Sequence, residues 1–156
     1  MKKITAELLE EVTQKALASP RKRMNHNFHE DLGDELQRML NAMEPYTYGR
    51  PHRHADPDRE EVFIVLKGTL LVIEFDDAGE ISDHVVLSAE EGNYGVEIAP
   101  RVFHTVVSLE TGSVAFEVKI GPFIPKTEVN SAPWAPAEGT PEADMYVREL
   151  VKRAGF

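Results

Sequence analysis

Two histidines one residue apart constrain this chain more than any other feature. They lie in the run Pro51-His52-Arg53-His54-Ala55-Asp56-Pro57-Asp58-Arg59-Glu60-Glu61-Val62-Phe63-Ile64-Val65-Leu66-Lys67-Gly68. On a helix such neighbours cannot share a face, because side chains meet there at spacings of three or four. On an extended strand they can: side chains alternate, so His52 and His54 point the same way, roughly 6.6 Å apart along the strand. That geometry lets two imidazoles converge on one ion. The loop with Asp56, Pro57 and Asp58 turns the chain, and a strand from Glu61 to Leu66 follows and stops at Gly68. Glu60 and Glu61 face opposite ways. Glu61 is in phase with Phe63 and Val65, Glu60 with Val62, Ile64 and Leu66, so periodicity leaves the choice of carboxylate open.

The spacing from Glu61 to Gly68, preceded by His-x-His, resembles the first motif of the cupin superfamily. The run from Gly92 through Asn93, Tyr94, Gly95 and Pro100 to His104 is similar to the second. The resemblance implies that Glu61, rather than Glu60, joins His52, His54 and His104 around one divalent metal ion inside a β-barrel. Zinc, iron, manganese and nickel all suit such a donor set, and four protein ligands leave two positions open. The loop between His54 and Glu61 is longer than the general motif has, and Ala99 and Arg101 replace its usual Pro and Gly.

Further signatures narrow the likeness. Tyr46 with Pro51-His52-Arg53-His54, His104-Thr105-Val106-Val107, Phe116-Glu117-Val118-Lys119 before Gly121-Pro122, and Ala132-Pro133-Trp134-Ala135-Pro136 before Glu138-Gly139 together resemble the WbuC family of cupin-fold metalloproteins. That likeness covers the chain from about Arg23 onward. It implies an all-β fold, a single cupin (double-stranded β-helix or jelly-roll barrel) with N- and C-terminal α-helices. It also implies a setting in bacterial surface-polysaccharide (O-antigen) metabolism.

A chain of 156 residues fits one domain. The expected division is an N-terminal helix and connecting arm over 1–30, the barrel over 31–122, and a Pro-rich arm and helix packed on the barrel over 123–156. The net charge of −10 argues against nucleic acid or an anionic membrane as partner. With no cysteine, thiolate ligands, a catalytic thiol and disulfides are all excluded. No apolar run has the length of a signal peptide or a membrane span, so the expectation is a cytoplasmic protein. Expected partners are a small-molecule ligand and a second copy in a homodimer, joined through the first helix or an exchanged strand.

Residues 4–18 carry a helical stripe of Leu8, Leu9, Val12, Ala16 and Leu17, with Thr5 as cap and Ser19-Pro20 as stop. Arg21 to His29 reads either as a solvated linker or as a segment across the barrel mouth that offers Asn25 or His29 to a ligand. Residues 31–44 present a conflict. Leu32, Leu36, Met39, Leu40 and Met43 have helical spacing, yet a cupin places a strand ahead of the His-x-His pair, so a strand from about Leu36 to Met43 is expected. Short strands follow at 69–75, 81–87, 96–98, 105–109 and 114–120, separated by Gly-bearing turns. Thr140-Pro141-Glu142 opens a last helix that runs to about Arg153.

In the strand from Val114 to Ile120, Ala115, Glu117 and Lys119 share one face. Facing inward, Glu117 and Lys119 become a buried charge pair near the metal and the candidate catalytic residues; facing outward, they are ordinary surface. The resemblance favours the inward reading. Arg50, Arg53 and Arg101 read either as groups at the mouth that orient an anionic substrate or as soluble surface, Phe103 packs behind His104, and His84 and His26 read as surface. A +1 centre of three imidazoles, one carboxylate and a divalent cation favours oxygen donors. The function expected is a metal-dependent cupin acting as a Lewis acid on a small sugar-like or carboxylate-bearing molecule, an isomerase or epimerase if catalytic. A non-catalytic binding module and an iron-dependent dioxygenase are the alternatives.

Overall fold

The structure, a computed structural model, describes residues 1–125 and 129–156. The part of the expected Pro-rich arm at residues 126–128 lies outside the described residues. Helix α1 (Ala6–Ala18) comes first, then strands β1 (Arg23–Asn27), β2 (Leu36–Met43), β3 (Glu61–Lys67), β4 (Thr69–Phe75), β5 (Ile81–Ser88), β6 (Gly95–Ile98), β7 (Phe103–Ser108) and β8 (Ser113–Ile120). Helix α2 (Pro141–Arg153) follows. The strands form two antiparallel sheets, ordered β1-β2-β8-β3-β6 and β5-β4-β7, facing each other as a jelly roll between the two helices.

Alternation along the strands divides the apolar residues among three layers. Met43, Phe63, Val65, Leu70, Val72 and Val106 point between the sheets and make the central core. On the outer face of the larger sheet, Leu40, Ala42 and Val114 meet Val12 and Ala16 of α1. On the outer face of the smaller sheet, Leu71, Ile73 and Phe75 meet Val147, Leu150 and Val151 of α2. The caps follow from sequence: Thr5 Oγ1 accepts from Leu8 N at 3.3 Å, and Thr140 Oγ1 accepts from Ala143 N at 3.2 Å.

This layering resolves the conflict at 31–44. The segment from Leu36 to Met43 is β2, paired with β1 on one side and β8 on the other. Both of its faces are covered, the outer one by α1, so apolar residues appear at neighbouring positions and imitate a helical stripe. The segment Arg21–His29 is not a linker: Arg23–Asn27 form β1, the edge strand of the larger sheet. No helix among the described residues is long and apolar enough to cross a membrane.

Candidate metal centre

Backbone pairing brings the histidines together. His52 N donates to His104 O at 3.1 Å and His104 N donates to His52 O at 2.9 Å. Directly opposed residues of an antiparallel pair present side chains on the same side. His52 is held in this isolated bridge rather than inside a long strand. The same pairing continues at Arg101 N, which donates to His54 O at 3.1 Å, so the extended segment carries both imidazoles inward. Ring centroids lie 5.0 Å apart for His52 and His54, 4.7 Å for His52 and His104, and 5.6 Å for His54 and His104.

The carboxylate arrives from the opposite sheet. In β3 the side chains of Glu61, Phe63 and Val65 are buried, whereas Ile64 and Glu60 are exposed, so Glu61 faces inward. Its Oε2 lies 2.9 Å from His104 Nε2 and 3.2 Å from His54 Nε2. One donor atom from each of His52, His54, Glu61 and His104 falls within 4.8 Å of all the others. The donor set fits a first-row divalent cation: three imidazoles and one carboxylate, with no thiolate. Remote ring nitrogens are anchored as a ligating imidazole requires, with His104 Nδ1 3.0 Å from Val102 O and His52 Nδ1 3.3 Å from Arg50 O. A ring whose Nδ1–H donates to its carbonyl turns the lone pair of Nε2 toward a bound ion.

Lys119 and Glu117 stand beside this cluster. Register places Lys119 opposite Glu61 and Glu117 opposite Phe63, so β8 turns both charged groups into the cavity. Lys119 Nζ donates to Glu61 Oε1 at 3.0 Å and to Glu117 Oε1 at 3.2 Å, while Asn41 Nδ2 donates to Glu117 Oε2 at 3.0 Å. Burial alone would raise the Glu61 carboxyl, but the Lys119 ammonium and the bonds from His104 and His54 outweigh it and hold Glu61 well below the usual range. Burial, with the Glu61 charge second, pushes Glu117 up. Burial works against the charged form of Lys119, yet the two carboxylates raise it above its ordinary value. Burial lowers His54 despite Glu61, which keeps it neutral and fit to ligate.

The arginines divide between the two readings. Arg101 pairs with Asp56 and Asp58 at 2.9 and 2.8 Å on the surface. Arg53 stacks 4.5 Å over the Phe103 ring, on the side of the α2 core. Of the three, Arg50 lines the cavity, with its guanidinium donating to Ala132 O at 2.9 Å. Phe103 packs with Trp134, ring centroids 5.8 Å apart, away from the ion site. His84 is exposed on β5.

Asn25 and His29 line the same cavity of about 930 Å³, in line with the reading that carries Arg21–His29 across the barrel mouth; Arg23, Gln37 and Asn41 line it too, and sequence reasoning gave them no role. The signal was present: once β2 is a strand, Gln37, Met39, Asn41 and Met43 share a face, and polar residues on an inward face are rare without a task.

The family model described as "Domain of unknown function (DUF6016)" matches residues 4–87. Among solved structures, the chain is similar to BH2720 from Bacillus halodurans, with a TM-score of 0.56 and 15% identity over 80% of this chain and 85% of that one. It is similar to KdgF from Halomonas sp., with a TM-score of 0.52 and 16% identity over 68% of this chain and 84% of that one. It is also similar to an oxalate oxidase in complex with the substrate analogue glycolate (TM-score 0.51, 16% identity, 68% of this chain and 55% of that one). At these identities the likeness is one of fold, the cupin jelly roll. No curated protein matches the sequence.

Proposed function

The chain belongs to the family described as a domain of unknown function (DUF6016), and from that premise we propose that it is a metal-binding cupin acting on a small, oxygen-rich polar molecule. The observation that carries this reading is the convergence of four donor atoms within 4.8 Å, supplied by His52, His54, Glu61 and His104 from three separate stretches of chain. A divalent ion held there supplies Lewis-acid polarisation of a bound oxygen. The chain's own residues do the rest. Lys119 fixes the Glu61 oxygen that the histidines do not use, and it ties Glu117 to the same cluster. Glu117, 6% exposed on the cavity wall, is placed to hold or deliver a proton at Oε1, and Lys119 to balance the charge that results. In this reading both are catalytic, and the reaction is an isomerisation or epimerisation. The likeness to WbuC proteins supports a sugar or sugar nucleotide of surface-polysaccharide metabolism as substrate, and the reading is completed by a cytoplasmic homodimer joined through the first helix or an exchanged strand.

Two measurements test this. Metal analysis of protein purified without added metal should find close to one divalent ion per chain, and His104→Ala should lose it while the fold survives. Turnover assays with a panel of sugar nucleotides should find an activity that Glu117→Gln abolishes. Absence of metal from the unmodified protein under metal-replete conditions overturns the reading. Metal without turnover reduces it to a binding module.

A further inference from the structure

The cations that line this cavity are not equally compensated. Arg21 on its rim is paired with Glu138 at 2.7 Å and Lys119 with Glu61 and Glu117 at 3.0 and 3.2 Å, whereas Arg23 has no carboxylate in contact among the described residues. This occurs in a chain whose net charge is −10, where a cation has acidic partners in plenty.

Arg23 is the least compensated of these groups. It sits on β1 opposite Met43, and among the described residues its one side-chain hydrogen bond is from Nη2 to the Met43 thioether at 2.9 Å, a weak acceptor. Its Nε is shut off from solvent and has no partner. Glu117 and Glu138 act on it only through space, while burial and Arg21 disfavour its charge. A guanidinium withdrawn from water without a carboxylate is costly unless something else completes it. Residue 49 has to be glycine for the guanidinium to lie where it does: a Cβ there would sit 2.8 Å from Arg23 Nη1 and displace it, so the Gly49 backbone packs directly on the side chain that lines the cavity. Across the β1–β2 pair, Asn41 is the diagonal neighbour of Arg23 on the cavity face. Asn41 spends its Nδ2 on Glu117, and its buried Oδ1 accepts nothing. An unused fork of donors next to an unused acceptor matches an oxyanion beside a hydroxyl.

We propose that Arg23 and Asn41 form the anion-recognition subsite of this cavity, and that the molecule bound is a small polyhydroxylated anion whose charged group meets Arg23 while its hydroxyl oxygens reach toward the histidine cluster. The proposal rests on the metal-binding reading for its second half only. A carboxylate and a phosphate share the required chemistry.

Calorimetric titration of the metal-loaded protein with gluconate, glucose 6-phosphate and glucose tests it. At least one of the two anions should bind, at least tenfold more tightly than neutral glucose, and the preferred anion tells carboxylate from phosphate. Arg23→Met, which keeps the bulk of the side chain, should weaken that anion by about tenfold to a hundredfold, with metal content and glucose binding unchanged. Arg23→Gln gives the same readout should the methionine variant fail to fold. Equal binding of glucose, binding by neither anion, or indifference to both variants overturns the proposal. A protein that takes up no metal yet loses anion binding with Arg23→Met refutes the metal reading and leaves this one standing. Full metal occupancy with anion binding indifferent to Arg23 does the reverse.

Discussion

Lys119 Nζ lies 3.0 Å from Glu61 Oε1, the carboxylate oxygen that the histidines leave unused. Glu61 is 2% exposed, so this ammonium both compensates a buried charge and fixes which oxygen turns toward His54 and His104. Groups that orient a ligand in this way are worth tenfold to a hundredfold in metal affinity. Lys119→Met, which keeps the stem and removes the charge, should weaken metal binding by about that factor in a competition titration with a chelating dye. It also strands Glu61 and Glu117 side by side, so the metal-free variant should lose about 3–5 kcal/mol in urea unfolding. Unchanged affinity would mean that Lys119 is no support of the site.

Metal removal should itself be visible in stability. An ion that binds only the folded chain adds about 2.7 kcal/mol at a concentration a hundredfold above its Kd. For a domain of this size that is about 5–10 °C of Tm. Excess chelator should therefore lower the melting temperature of the unmodified protein by about this much and leave His104→Ala unmoved. His104 is 1% exposed on β7, so the variant's own baseline will also be lower. A chelator effect of equal size in both proteins would place the ion elsewhere.

Gly68 closes the turn from β3 to β4 with φ at 72°, directly after a register shift between Val65 and Lys67. A Cβ there would lie 2.9 Å from Ser113 Cα and 2.5 Å from Ser113 Oγ. That hydroxyl cannot swing away without loss, because it donates to Glu110 O at 2.7 Å and accepts from Thr69 N at 3.1 Å. Gly68→Ala combines a left-handed penalty with overpacking and should cost about 2–4 kcal/mol, read as a shift in urea midpoint. Since Gly68 also ends the strand that carries Glu61, metal affinity in the variant reports whether the strain reaches the site.

The ion site was legible because its chemistry is local: His52 and His54 needed only an extended backbone, and Gly68 marked the strand's end. The carboxylate was not. Val62, Ile64 and Leu66 are as apolar as Phe63 and Val65, although of the three only Leu66 packs with the α1 cluster and Ile64 is exposed. A strand with apolar residues on both faces has no polar side to betray its orientation. The same helix disguised β2 as helical. Arg23 was illegible for a different reason: in a run with Arg21, Lys22 and His26, a charged residue reads as solvated, and only pairing with Met43 shows that it turns inward. Arg101 is the converse case, close to the site along the chain yet held outside by Asp56 and Asp58, which settles it as surface.

Tyr48 joins the segment ahead of the histidines to the C-terminal arm: its hydroxyl donates to Pro136 O at 2.9 Å, and its ring meets Tyr146 edge-on with centroids 6.0 Å apart. Burial raises both phenols above their ordinary value of 10.0, Tyr48 further, and Tyr146 up to about 12. A group whose pKa is higher in the folded state contributes stability that is complete below the unfolded value and disappears as pH climbs through the folded one. The window is therefore from about pH 10 to about pH 12, where the unfolded chain ionises first and pulls the equilibrium toward itself. Tyr48→Phe should cost about 1 kcal/mol at neutral pH for the lost hydrogen bond and should flatten the alkaline decline. Tyr146→Phe should flatten it as well. Urea midpoints of the three proteins followed from neutral to alkaline pH would check this, and three parallel curves above pH 10 would show that neither hydroxyl is withdrawn from water as the packing of the arm requires.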